Sequence, residues 1–308
     1  AAERVRAETM ALLTSPASAD WLRRLDGAGL LTAVFPELEP ERRCALAYYG
    51  KGGVLRHSLD TVARLDFLLA SLERAWPSDA AGIRGALDAG PGGPRGHAAL
   101  LRLGGLLHDV AKPETAKRRG GRLRFFGHDA VGAERSAGIL ERLRFSREER
   151  EWMSTWVLHH LRPGNLAAAP AVSDKAVYRF FRDLGERGVS QLLLCWADHA
   201  SYLPAGDIER TLAPASREPG APLPRWAKGD AGKTIHHLRV VGLLLERWFR
   251  SPAQARPERL LDGRDVMKAL RIPPGPKVGE ALAALEEAQA EGLVKTRAEA
   301  LRWCRENA

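Results

Sequence analysis

The feature that most constrains this chain is the period of its apolar residues. Leu55, Leu59, Val62, Leu65 and Leu69 recur at helical spacing, as do Leu100, Leu103, Leu107 and Val110, and then Val177, Phe181 and Leu184. Residues three and four apart share one face of a helix, whereas a half-buried strand needs a period of two. Alternating β-branched runs are nearly missing, so the pattern predicts an all-α fold. Ser173 and Asp174 stand where a helix N-cap is wanted ahead of the third stripe. Core packing explains each stripe. An apolar share of 45% over 308 residues is enough for a substantial core, in one large helical unit or two or three small ones.

Two stretches interrupt the stripes. Residues 78–97 contain Gly90, Pro91, Gly92, Gly93 and Pro94 and read as a mobile insertion, with 85–95 as a conceivable lid. Residues 204–233 hold Pro204, Pro214, Pro219, Pro222 and Pro224 among charges and read as a linker. The expected organisation is a helical segment over 1–50, a central helical domain over 51–203, that linker, and a helical domain over 234–308. The last part contains an amphipathic segment from His236 to Arg250, a Pro273-Pro274-Gly275-Pro276 turn, and Thr296 and Glu299 at capping-box spacing.

Composition narrows the function. No apolar run is long enough to span a membrane, and no secretory pattern opens the chain. It starts at Ala1, which suggests a piece of a longer protein. Cys44, Cys195 and Cys304 lie far apart, which excludes a disulfide framework and zinc-ligand spacing and fits a reducing, cytoplasmic compartment. The net charge of +9, carried mainly by arginine, fits either solvated surfaces or a phosphate-bearing partner such as RNA.

Most of the nine histidines fall between residues 57 and 199, several beside aspartates. His57 sits at the start of a predicted helix. His108 and Asp109 follow Leu106-Leu107 near the end of another. His128 opens a third, His159 and His160 close a fourth, and Asp198 lies in Cys195-Trp196-Ala197-Asp198-His199. A single histidine at a helix start is more often a cap or surface group. Asp109 is harder to dismiss, because an unpaired carboxylate beside an apolar stripe costs several kcal/mol. Histidines and carboxylates on rigid elements suit one or two divalent transition ions (Mn, Fe, Ni, Co or Zn, with Mg as a further option) better than calcium. Such an ion activates water and polarises a phosphoryl oxygen.

At His57, His108-Asp109 and Asp198 the sequence resembles the HD superfamily of metal-dependent phosphohydrolases. The runs Leu107–Thr115, Arg124–Ala133 and Val157–Pro163 are similar to one branch of it: the HD region of bacterial tRNA nucleotidyltransferases (CCA-adding enzymes) and poly(A) polymerases. Arg4–Glu37 resembles that family's helical neck, and Leu260–Gly279 its C-terminal RNA-binding tail. The resemblance implies an HD-domain bundle with His57, His108, Asp109 and Asp198 as metal ligands. His128 and His160 would bind a second metal, or contact phosphate and protonate a leaving oxygen. His160 is preferred to His159 because it precedes Leu-Arg-Pro. Asp109 and Lys112 would take catalytic roles, Lys112 by holding a substrate phosphate; its alternative is a charge complementing a helix C-terminus. Gly263, Asp265, Gly275, Lys277 and Gly279 would contact nucleic acid.

The family's transferase head carries a Gly-rich strand and a close pair of aspartates, and neither lies in this sequence. Asp262 and Asp265 are close, but they belong to the tail motif. The chain alone is therefore expected not to add nucleotides, and a separate head is one expected partner. The expected function is hydrolysis of a phosphate ester, such as a 2′,3′-cyclic phosphate, a nucleotide or an RNA-end phosphate. The alternative is the RNA- or tRNA-holding body of a split or truncated transferase.

Overall fold

The structure, a computed structural model, describes residues 2–307. It is helical almost throughout. The first stripe becomes the Gly53–Leu69 helix, which buries Val54, Leu55, Leu59, Val62, Leu65 and Leu68. Its start depends on Gly53, at φ 58°. A Cβ there would lie 2.4 Å from the Cys44 carbonyl oxygen and 2.5 Å from that of Glu41. The second stripe becomes the Gly93–Leu107 helix, which packs against the first.

A buried ion pair fixes these helices. Asp66 meets Arg102 at 2.6 Å and also accepts from the Ser18 hydroxyl and the Ala19 amide, both at 2.9 Å. The carboxylate thus satisfies an amide at the start of the Ser18–Gly27 helix, one of the donors that a helix leaves open.

The expectation of a mobile insertion at 78–97 is corrected. Residues Ala80–Asp88 form a helix with Ala80, Ile83 and Leu87 buried. After a turn at Gly90–Gly92, Pro94 lies in the first turn of the next helix, where its missing N–H costs nothing. The Pro-rich stretch is also anchored. It contains the Ile208–Ala215 helix, and buried Arg239 donates to the carbonyls of Pro214, Ala221 and Pro222. Glycine and proline mark where helices turn, but do not by themselves mark where packing stops.

Among the described residues the only strands are Lys117–Arg119 and Arg122–Arg124, an antiparallel hairpin. Its turn, Gly120-Gly121, has φ 55° and 74°, as a two-residue hairpin of the primed type requires. Three-residue strands built almost wholly of arginine and lysine carry no apolar period, so sequence patterning does not reveal them.

Contacts divide the chain into two compact units. One comprises the residues up to Ala168 with Val189–Leu243, and the other Ala169–Gly188 with Leu244 onward. The division differs from a break at 233/234: it falls inside the Asp230–Arg250 helix and assigns the Asp174–Leu184 helix to the second unit. An uninterrupted helix has no compositional mark at the point where its partners change. The second unit has its own core of Leu261, Val266, Val278, Ala281, Leu285 and neighbours. No helix of the described residues is long and apolar enough to cross a membrane.

Candidate metal centre

Five helices of the first unit deliver six side chains to one buried point. His57 lies in the first turns of Gly53–Leu69, and His108 and Asp109 directly follow Gly93–Leu107. His128 opens the His128–Arg142 helix, His160 follows Arg147–His159, and Asp198 lies in Arg187–Ala200. All six are buried, Asp109 completely.

The rings are held in one tautomer. Nδ1 of His108, His128 and His160 reaches the carbonyl three residues earlier, on Gly105, Phe125 and Val157, at 2.9, 2.7 and 2.6 Å. His57 Nδ1 lies 2.9 Å from the Ser201 hydroxyl, whose own proton goes to the Asp198 carbonyl. A carbonyl can only accept, so each of those Nδ1 atoms donates and each Nε2 keeps its lone pair. Outer partners of this type orient metal-bound histidines.

Those lone pairs converge in two groups: His57, His108 and Asp198, and then Asp109, His128 and His160, with the ligand atoms of each group within 4.8 Å of one another. Asp109 faces both groups. Its Oδ2 is 3.4 Å from His57 Nε2 and 3.3 Å from His108 Nε2, and its Oδ1 is 3.4 Å from His128 and 3.6 Å from His160. His57 Nε2, His108 Nε2, Asp109 Oδ1 and Asp198 Oδ1 are buried with no hydrogen-bond partner. Buried polar atoms are normally satisfied, and acceptors facing acceptors repel unless a cation lies between them. The residues therefore fit a divalent ion, and Asp109 faces both groups.

The electrostatics agree. Burial opposes charge on His108, but Asp109 and Asp198 outweigh it and raise its pKa, so without a cation the carboxylates draw a proton onto the ring. Burial also disfavours the charged form of Asp109, yet His108 and Lys112 hold it well below the usual carboxylate range. Burial pushes His160 down to about 4, which keeps it neutral. Lys112 stays charged: burial works against it, and Asp109 more than compensates. Its ammonium donates to Asp109 and, at 2.7 Å, to the Tyr49 hydroxyl.

The structure adds residues that the sequence did not mark. Tyr49 and Tyr202 both stack against the His57 ring, with centroids at 4.7 and 5.1 Å, and their own rings lie 6.3 Å apart. Ser201 orients His57. Ser201 and Tyr202 lie three and four residues after Asp198, a helical spacing that could have pointed to them. Buried Glu41 is kept neutral by burial and by the nearby Asp109 charge, and no local signal marks it. His159 joins neither ligand group. Gly263, Asp265, Gly275, Lys277 and Gly279 all lie in the second unit. There Asp265 completes a capping box with Asp262 and pairs with Arg297, so this aspartate pair serves a helix start.

An HD domain matches residues 54–203. Residues 1–42 match a "Probable RNA and SrmB-binding site of polymerase A", and residues 243–304 match domain 2 of tRNA nucleotidyltransferases. This chain is an HD-domain protein homologous to the C-terminal regions of tRNA nucleotidyltransferases. It is 33% identical to the A-adding tRNA nucleotidyltransferase of Deinococcus radiodurans over 310 residues, covering 99% of the chain and 59% of that protein. It is 34% identical to the CC-adding enzyme of Thermus thermophilus over 307 residues, covering 97% of the chain and 55% of that protein. A shorter match, 54% over 44 residues, is to the CC-adding enzyme of Geobacter sulfurreducens. The chain spans a little over half the length of the first two relatives.

Proposed function

We propose that the first unit is a metal-dependent phosphohydrolase acting on a phosphate ester such as a 2′,3′-cyclic or RNA-end phosphate. The observation that carries this reading is the set of four buried, unpartnered acceptor atoms on His57, His108, Asp109 and Asp198. His57, His108 and Asp198 would hold the first ion. Asp109 would bridge, and His128 and His160 would hold a second ion or contact the phosphate. A divalent cation there supplies positive charge that polarises a phosphoryl oxygen and eases deprotonation of an attacking water. Lys112, charged and bonded to Tyr49, would meet a non-bridging phosphate oxygen. Tyr49 and Tyr202 keep the His57 ring in place.

Metal analysis of the purified protein tests this reading. Wild type should retain a transition ion, or take one up from added Mn, Co or Ni, and hydrolyse a cyclic phosphate; His108→Ala should do neither. A wild type that binds no ion and hydrolyses no cyclic phosphate would sink it.

A second reading, compatible with the first, is an RNA-holding body. It is favoured by the matches at 1–42 and 243–304 and by the names of the relatives. The buried cluster from Leu261 to Cys304 belongs to the second unit, so removing residues 260–308 removes that cluster. On this reading that truncation abolishes salt-dependent tRNA binding; undiminished binding would exclude the tail as the contact.

A further inference from the structure

The geometry points to the hairpin at 117–124, with Phe126, as a docking rim that holds a single-stranded polynucleotide so that its end reaches the metal centre. The register pairs Lys117 with Arg124 and Arg119 with Arg122. Side chains alternate along a strand, so these four cations share one face of the ribbon, with Arg118 and Leu123 on the other. Leu123 is half-buried, and its carbonyl accepts from the Tyr48 hydroxyl at 3.4 Å. The all-cation face is the exposed one.

Like charges directly opposite in a hairpin are destabilising. Here two such pairs stack on a ribbon of three-residue strands, which is marginal by itself. None of the five basic side chains has an acidic partner among the described residues. Elsewhere in the unit Arg23, Arg42, Arg84, Arg142 and Arg150 each hold a carboxylate. A concentration of unpaired cations that the protein could have neutralised, as it does elsewhere, fits a bound polyanion.

The location ties the rim to the centre. The second strand runs straight into Phe125, whose carbonyl fixes His128 Nδ1 and whose ring lies 5.7 Å from the Lys112 ammonium. The first strand begins five residues after Lys112. Phe126, 68% exposed, stands beside the rim with the Arg119 guanidinium 5.5 Å from its ring centre. An exposed ring beside guanidinium groups offers a stacking platform for an unpaired base, which a duplex does not present. The hydrolytic reading is needed only for the fate of the bound end; docking stands on the rim itself.

The test is fluorescence anisotropy of the full chain with a short labelled single-stranded RNA, without added metal, across a salt series. Neutralising two cations in Arg119→Gln/Arg122→Gln should weaken binding at least tenfold. It should also make the dependence of log affinity on log salt shallower by about 1.4. Phe126→Ala should lower affinity for the single strand by roughly tenfold and leave a blunt-ended RNA duplex unaffected. The double glutamine variant also relieves cross-strand repulsion, so its melting temperature should not fall; this separates lost docking from lost folding. Unchanged affinity and salt slope would overturn the proposal, as would equal losses for single strand and duplex on Phe126→Ala. Hydrolysis of a mononucleotide cyclic phosphate by the wild type is scored separately and bears only on the metal-centre reading.

Discussion

His108, His128 and His160 share a local device: each ring gives Nδ1–H to the carbonyl three residues behind it. His57 is the exception, because its Nδ1 depends on Ser201, a residue far away in sequence. Ser201→Ala should therefore free the His57 tautomer and weaken metal binding by about 10- to 100-fold, with Ser201→Thr restoring much of it. Metal titration of the apoprotein reads both. Away from the centre, buried His97 touches Ser190 through Nε2 at 2.6 Å. Burial pushes its pKa down to about 4. Between that value and the ordinary one near 6.5, the unfolded chain binds a proton that the folded ring refuses. This contribution to stability is complete above about pH 6.5 and falls as pH drops toward 4, by up to about 3 kcal/mol. His97→Gln should flatten the dependence over that window in denaturant titrations. The same ring explains Gly90: a Cβ there would sit 1.8 Å from His97 Nδ1, so Gly90→Ala should cost roughly 1–3 kcal/mol.

At the scale of the element, helix starts repeat the same economy of local partners. Ser146 and Glu149 form a reciprocal capping box ahead of the helix that carries His160, and Glu149 also receives Arg6 at 2.9 Å. Ser146→Ala should cost about 1 kcal/mol, measured by chemical unfolding, with the metal site intact. The apolar stripes were legible as helices because burial of one face dictates their period. The Ala80–Asp88 helix was not, because its glycines resemble loop composition while only Ala80, Ile83 and Leu87 are buried. The basic hairpin was invisible for the opposite reason: its outer face is uniformly charged.

For the whole molecule, contacts separate a unit that holds the candidate metal centre from one that holds the C-terminal core. A ligand that binds only the folded form stabilises it by about 2.7 kcal/mol at a hundredfold excess over its Kd. Adding a transition ion should therefore raise hydrogen-exchange protection around Gly105–Asp109 and Val157–His160. Amides of the Leu261–Cys304 core should stay unchanged; equal protection in both would mean that the ion binds elsewhere. The net charge of +9 describes the whole chain, and the hairpin holds five cations on eight residues.

The sequence determined the helical class, the stripes that face the core and the identity of the six clustered side chains. Period and side-chain chemistry are local properties, and the motifs around His57, His108-Asp109, His128, His160 and Asp198 carry them. Tertiary structure alone decided that Asp109 faces both ligand groups, that Tyr49, Ser201 and Tyr202 support His57, and that the Gly- and Pro-rich stretches are packed. All of these rest on contacts between separate elements, and the closeness of two such residues is created by folding rather than written in either segment.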